Sequence, residues 1–374
     1  MIYLDSAATT FQKPHQVREA VLYAMEHDSS PGRGGYGAAQ AAAETVYDCR
    51  TALAKLFHVE NEENVVFTSN ATHGLNIAIH STVRSGDEVL ISGYEHNAVT
   101  RPLRAIPNVR IRYARAPLFS PEATVDAFRS AITPETGAVV CTHVSNVFGD
   151  VLPIEEIAAL CREKRVPLIV DASQSAGIIP LDAGALGADF IAMPGHKGLY
   201  GPQGTGVLLV REGVRTVPLL HGGTGILSKE PLMPGSLPER LEAGTQNVPG
   251  IAGLLEGVRF VAGQGERIRI HERELLDLTA EGLSAMRRVH AYYSPDPQRQ
   301  AAVLSLTVAG EESESVASYL ADNNVAVRAG FHCAPTAHET AHTDGAGTVR
   351  VSFSRFNTRR ECVNFLRILA KKYA

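Results

Sequence analysis

The stretch Ala138-Val-Val-Cys-Thr-His143, with Pro153-Ile-Glu-Glu-Ile-Ala-Ala-Leu-Cys-Arg-Glu-Lys164 and Pro167-Leu-Ile-Val170 behind it, decides the fold class. Its first and last segments are short, apolar and rich in β-branched residues, so they read as buried strands. Between them apolar residues recur at helical spacing, behind a proline that suits the start of a helix. Strand, helix, strand is the crossover that joins parallel neighbours. Outward from this unit, strand-like runs continue at Asn64–Thr68, Glu88–Ser92, Val109–Tyr113, Asp189–Met193 and Gly206–Val210, with another amphipathic stretch at Thr72–Val83. An α/β architecture follows, with a mainly parallel central sheet flanked by helices. Ligands of such sheets sit beyond the carboxyl ends of the strands, so functional residues should come just after strands.

Past Arg211 the pattern changes. A Gly/Pro-rich connection, Leu219 to Pro238, leads into a long helical stretch near Val248–Arg288. Strand-like runs at Ala302–Val308, Val325–Arg328 and Thr348–Ser352 then alternate with helical ones at Ser313–Asp322 and Thr358–Lys372, a smaller α+β carboxyl-terminal unit. The amino-terminal segment, with a helix over Pro14–His27, is expected beside it. A chain of 374 residues, 44% hydrophobic, exceeds what one core usually supports. We expect a large domain over residues 15–255 and a small one from 1–14 and 256–374.

A net charge of -5 gives no electrostatic basis for binding nucleic acid or an anionic membrane. No apolar run approaches the roughly 20 residues that span a bilayer. Met1-Ile-Tyr-Leu-Asp5 lacks the basic and apolar regions of a secretory signal. A cytoplasmic protein is expected. Five cysteines without a CxxC pair argue against a disulfide framework or a zinc knuckle. Cys49, Cys161 and Cys362 fall in helical patterns and Cys141 in a strand, where they act as small hydrophobes. Only Cys333 has loop-like surroundings.

The chemistry gathers after the strands. In Met193-Pro-Gly-His-Lys197-Gly-Leu-Tyr-Gly-Pro-Gln-Gly-Thr-Gly206, a glycine-flanked lysine directly follows a buried strand. Desolvation there would lower its pKa and free the neutral amine for a Schiff base, although an ordinary loop lysine fits the segment alone nearly as well. Leu168-Ile-Val-Asp171-Ala-Ser-Gln174 sets an acid at the end of the preceding strand. Pyridoxal 5'-phosphate (PLP) needs such a carboxylate against its ring nitrogen, though a helix-capping acid is common at these junctions. Phe67-Thr-Ser-Asn-Ala71-Thr72-His-Gly74 runs from a strand into a helix start, offering free N–H groups and a favourable dipole to a phosphate; Thr72 would bind a phosphate oxygen or act as N-cap. Tyr94-Glu-His96-Asn97 brings a ring that could stack on a cofactor and move protons, or serve structure only.

Together these segments resemble the cysteine desulfurase family of the class-V aminotransferase group, fold-type-I PLP enzymes. The likeness runs from Tyr3-Leu-Asp-Ser-Ala-Ala-Thr9 to Arg350-Val-Ser-Phe-Ser-Arg-Phe-Asn-Thr358, and is most specific in Gly195-His-Lys-Gly198, Val170-Asp-Ala-Ser-Gln174, His143-Val-Ser-Asn-Val147 and Arg328-Ala-Gly-Phe-His-Cys-Ala334. The resemblance implies Lys197 as the Schiff-base lysine, Asp171 as the pyridinium partner, Gln174 on the ring hydroxyl and a stacking His96. It also implies Ala71, Thr72 and His196 at the phosphate, Asn146 near the ring or the substrate carboxylate, and Arg350 on that carboxylate, where a guanidinium can bind bidentately. Glu242-Ala-Gly-Thr245 resembles a segment that reaches the neighbouring subunit's phosphate, which implies a homodimer. Cys333, followed by Pro335 and a Gly/Thr-rich stretch, would sit on a mobile, accessible loop. Its thiolate, favoured by His332, would attack the sulfur of bound L-cysteine, releasing L-alanine and leaving a persulfide for an acceptor protein or thiol. The pattern around Cys333 resembles the sulfur-mobilisation group, which includes selenocysteine-lyase-like members.

The chain departs from that pattern at Ala71-Thr72-His73, where the family often has Thr-Thr-Glu; at Phe331-His332, where it often has two histidines; and at Arg33-Gly-Gly-Tyr36, where Tyr36 stands for a histidine. Within the same group, a selenocysteine lyase, aminotransferase, epimerase or another lyase is the nearest alternative. A zinc hydrolase is the distant one, because His338-Glu339-Thr340-Ala341-His342 satisfies HExxH. That chemistry needs both histidines on one helix face, and Pro335 with Thr343-Asp-Gly-Ala-Gly347 leaves little room for a stable helix, so no metal is expected. Gly32-Arg-Gly34-Gly-Tyr-Gly37 satisfies GxGxxG but follows a helix rather than a strand, and is rejected as a dinucleotide site.

Overall fold

A computed structural model describes residues 1–32 and 34–374. Arg33, which opens the segment Arg33-Gly-Gly-Tyr36, lies outside the described residues. A two-residue strand β1 (Ile2–Tyr3) leads the chain. Seven strands then form the large sheet: β2 (Val65–Thr68), β3 (Glu88–Ser92), β4 (Arg110–Ala114), β5 (Thr136–Thr142), β6 (Leu168–Asp171), β7 (Phe190–Pro194) and β8 (Gly206–Val210). Their order across the sheet is β2-β8-β7-β6-β5-β3-β4. Every pairing is parallel except those of β8, which runs antiparallel to both β2 and β7. Two reversals cancel. The carboxyl end of β2 therefore meets the same sheet edge as those of β7, β6, β5 and β3.

Both faces of this sheet are covered, which is why its strands read as unbroken apolar runs. Along β5, Val139 and Cys141 pack into one apolar cluster while Ala138 and Val140 pack into another; Leu168 and Val170 of β6 divide from Ile169 in the same way. Successive side chains point to opposite faces.

The smaller unit holds β9 (Val289–Tyr292), β10 (Val303–Val308), β11 (Val325–Ala326), β12 (Arg328–Gly330) and β13 (Thr348–Ser352). Four of these make an antiparallel sheet in the order β12-β13-β10-β9, and β11 pairs in parallel with β1. The helix Val248–Ser284 joins the two bodies. Ile251, Leu254, Leu255 and Val258 belong to the core of the large sheet, whereas Leu275, Leu276, Ala280 and Leu283 belong to that of the small one. Among the described residues no helix is long and apolar enough to cross a membrane.

One expectation fails here. The HExxH segment does form a short helix, Pro335–Thr340, started by its proline. His342 lies beyond it at φ 56°. The motif's groups are engaged elsewhere: His338 Nδ1 meets Thr343 Oγ1 at 2.7 Å and Glu339 pairs with Arg115 at 2.6 Å. Among the described residues no cluster of three His, Cys, Asp or Glu side chains is arranged to hold a metal ion.

Candidate active site

The shared edge of β2, β7, β6, β5 and β3 carries a cavity lined by Ala71, Thr72, His96, Asn146, Asp171, Gln174, His196 and Lys197. All eight come from the segments that follow these five strands or from a strand's last residue, as the topology requires. Thr245 is not among them. It lines a separate, larger cavity with Phe67, His73 and Glu242.

Lys197 sits in a turn with little spare room. A Cβ on Gly195 would collide with the Thr205 hydroxyl, and one on Gly198 with the Ala176 carbonyl oxygen. The carbonyl of His196, just before the lysine, accepts from Thr10 N–H at 3.1 Å, the hydroxyls of Thr9 at 3.2 Å and Thr10 at 3.1 Å, and Lys13 Nζ at 3.1 Å. Burial lowers the Lys197 amine from 10.5 to about 8; Arg350 and Arg328 act in the same direction, and Asp171 and Asp5 oppose it. The amine is thus far more available in its neutral form than an exposed lysine's. Lys13, which composition and periodicity do not single out, is also lowered to about 8 by burial.

Asp171 is buried, and its Oδ1 accepts from Ser173 N–H at 2.9 Å. Gln174 donates its Nε2 to the Ala7 carbonyl at 2.9 Å, which leaves its side-chain oxygen for another partner. His96 caps the helix Asn97–Ala105, its Nδ1 accepting from Ala98 N–H at 3.0 Å. Nδ1 is therefore unprotonated and the ring proton lies on Nε2. Burial holds this ring down to about 4, against the pull of Asp171 and with help from Lys197, Arg350 and Arg101. It is neutral at pH 7.

The helix Ala71–Thr82 points its amino terminus into the cavity, and its cap is Asn70, which accepts from His73 N–H at 2.9 Å. Thr72 does not cap. Beside this terminus His196 leaves a buried Nδ1 with no partner. An anion suits such a place.

Beneath His96 lies Glu95, fully buried, its Oε1 accepting from Thr142 N–H at 2.7 Å. Burial pushes it up to about 8, opposed by its Ser92 and Thr142 hydrogen bonds, so it is protonated at pH 7. Only its neighbour in sequence, His96, hinted at it.

Cys333 is exposed, but not on a slack loop. His332 (φ 49°) and Cys333 (φ 57°) make a tight left-handed turn between β12 and the helix Pro335–Thr340. The Cys333 carbonyl accepts from Asn97 N–H at 2.7 Å, and the His332 carbonyl from Asn146 Nδ2 at 2.8 Å. Both donors adjoin the cavity. His332 does not serve the thiol as expected. Its ring is buried, its Nε2 donates to the Thr348 carbonyl at 3.0 Å, and burial followed by the Arg350 charge drives it down to about 2. It carries no charge with which to favour a thiolate.

Arg350 is not among the residues lining the cavity but is bonded to one that is, Asn146. It is 3% exposed; Nη1 donates to the Asn146 carbonyl at 2.9 Å and Nη2 to Asp5 Oδ1 at 2.8 Å.

Residues 2–365 match the family model described as Aminotransferase class-V. A probable cysteine desulfurase from Xylella fastidiosa is 34% identical over 99% of this chain and 90% of its own length. A cysteine desulfurase from Salmonella agona is 30% identical over 96% of this chain and 90% of its own. A probable cysteine desulfurase from Mycolicibacterium paratuberculosis is longer, and the chain spans 55% of it at 32% identity. Among solved structures, the apo form of a cysteine desulfurase from Thermococcus onnurineus superposes with a TM-score of 0.91, at 30% identity, over 99% of this chain and 94% of that one.

Proposed function

The chain belongs to the class-V aminotransferase family and, within it, to the cysteine desulfurases, and on that premise we propose that Lys197 carries PLP while Cys333 takes sulfur from L-cysteine. What supports the cofactor is the donor set. A lysine held near 8, a buried carboxylate, a neutral histidine ring, and a helix terminus beside an unpartnered histidine nitrogen share one cavity. These match an aldehyde, a ring nitrogen, a ring face and a phosphate. When bound, PLP supplies an electron-withdrawing ring.

The chain's own groups would do the rest. Asp171 would hold the ring nitrogen protonated and Lys197 would take and return the substrate's protons. The Cys333 sulfur would attack the substrate's sulfur. An S–S bond forms, the Cβ–S bond breaks with its electron pair left on carbon, and that carbon takes a proton. L-cysteine and the Cys333 thiol become L-alanine and a Cys333 persulfide, with no external oxidant.

The exposed thiol would then pass its sulfur to an acceptor protein or small thiol. Exposed Leu219, Leu220, Leu227 and Leu232, in the segment before Thr245, support a homodimer whose partner reaches this face. All five cysteines are free, which suits the reducing cytoplasm. We place the boundary between the large domain (15–255) and the small one (1–14 and 256–374) within the long helix.

The observation that carries the reading is that Lys197 and Asp171 line one cavity, with the Cys333 turn hydrogen-bonded to the segments holding His96 and Asn146. Its test is Cys333→Ala in the cofactor-loaded protein, with sulfide and alanine quantified from L-cysteine. Alanine production should fall about a hundredfold or more, the usual scale for losing a covalent nucleophile. Release at the parent rate would dismiss Cys333 as the sulfur acceptor.

A further inference from the structure

Arg328 of β12 and Arg350 of β13 are register partners, so two like-charged side chains stand directly opposite one another. Such a pair repels unless something lies between. Asp5 does. Its Oδ1 accepts from Arg350 Nη2 at 2.8 Å, and its Oδ2 lies 3.9 Å from Arg328 Nη1. The backbone at Asp5 is fixed by a bridge to Ser352 and by the pairing of β1 with β11. All three charges bear on the Lys197 amine, which puts them within electrostatic reach of the cavity. Two guanidiniums and one carboxylate leave a single net positive charge. Arg350 Nε, buried, has no acceptor. A buried donor without a partner wants one.

We infer that Asp5 is the positioning counter-ion of the substrate's carboxylate subsite: it holds Arg350 and Arg328 together and aligned, so that one α-carboxylate completes the charge balance. The amino-terminal segment is then part of substrate recognition. This rests on the reading of Arg350 as the carboxylate-binding arginine. A lone Arg350 would be a buried cation free to turn away; with Asp5 on one nitrogen and the Asn146 carbonyl on another, its remaining N–H groups have fixed directions.

The test uses the cofactor-loaded protein with Asp5→Asn, Asp5→Glu and Arg350→Lys. L-cysteine turnover is inhibited with 3-mercaptopropionate, which keeps the carboxylate, and with cysteamine, which lacks it. In Asp5→Asn, KM for L-cysteine and the inhibition constant for 3-mercaptopropionate should each rise at least tenfold. In the same variant kcat should stay within about threefold, and cysteamine inhibition should be unchanged. Asp5→Glu should recover part of the loss. Should Asp5→Asn fail to fold by thermal melting, Asp5→Glu carries the test, with a severalfold rise for 3-mercaptopropionate alone. Equal weakening of both inhibitors, or of neither, overturns the inference. If Arg350→Lys leaves 3-mercaptopropionate inhibition intact, the carboxylate role of Arg350 falls as well. If Arg350→Lys weakens it and Asp5→Asn does not, only the role of Asp5 falls.

Discussion

The buried amine of Lys197 makes a quantitative demand on pH. Its fall from 10.5 to about 8 corresponds to about 3 kcal/mol of preference for the neutral form. At pH 7 about a tenth of the amine would be neutral, against about one part in three thousand for an unperturbed lysine. Protein stripped of cofactor should therefore bind added PLP at Lys197 with a rate that climbs about tenfold per pH unit below 8 and levels off above it. Stopped-flow absorbance between pH 6 and 10 measures this. Asp171 raises the lysine's pKa, so Asp171→Asn should move the levelling-off below pH 8. A rate still climbing at pH 10 would mean a hydrated amine. An inflection that Asp171→Asn leaves in place would mean that the two charges do not face each other. The sign for stability follows from the same shift. Between 8 and 10.5 the unfolded chain holds a proton at this lysine that the folded one lacks, so the cofactor-free protein gains stability from this group as pH rises through that window.

Glu272 behaves in the opposite sense. It is buried against Tyr200, whose hydroxyl donates to it at 3.1 Å, and burial pushes it from 4.5 up to about 8. Its contribution is complete below 4.5 and is lost as pH rises through 8, so Glu272→Gln should stabilise relative to the parent by on the order of a few kcal/mol more at pH 8.5 than at pH 5. Urea unfolding at the two pH values decides; a pH-independent difference would contradict the assignment. His332, neutral and turned toward Thr348, should not govern the thiol. Iodoacetamide alkylation of Cys333 in His332→Asn should follow the parent between pH 6 and 9, and a tenfold slowing would restore the histidine's expected role.

The sheet was legible because both its faces are buried, which turns each strand into an apolar run, and because Lys197, Asp171, His96 and Asn146 all follow such runs. The antiparallel β8 was not, since a buried apolar strand reads alike in either direction. Asn70 capped the helix where Thr72 had been the candidate: neighbouring side chains with similar capping chemistry differ only in backbone angles. The left-handed turn at His332 and Cys333 carries no glycine to announce it, so a tight, hydrogen-bonded turn read as a mobile loop. Pro335 marked a helix start where its neighbours suggested none. Asp5 and Arg350 lie 345 residues apart in the chain, and nothing local to either names the other. Burial, which lowers Lys13, raises Glu95 and discharges His332, exists only once the chain has folded.

Two amines border the same turn, Lys197 and the half-buried Lys13, and desolvation lowers both to about 8. The protein loaded with PLP, reduced with borohydride, digested and mapped by mass spectrometry should carry the pyridoxyl group on Lys197 alone. A label on Lys13, or on neither lysine, would contradict the account.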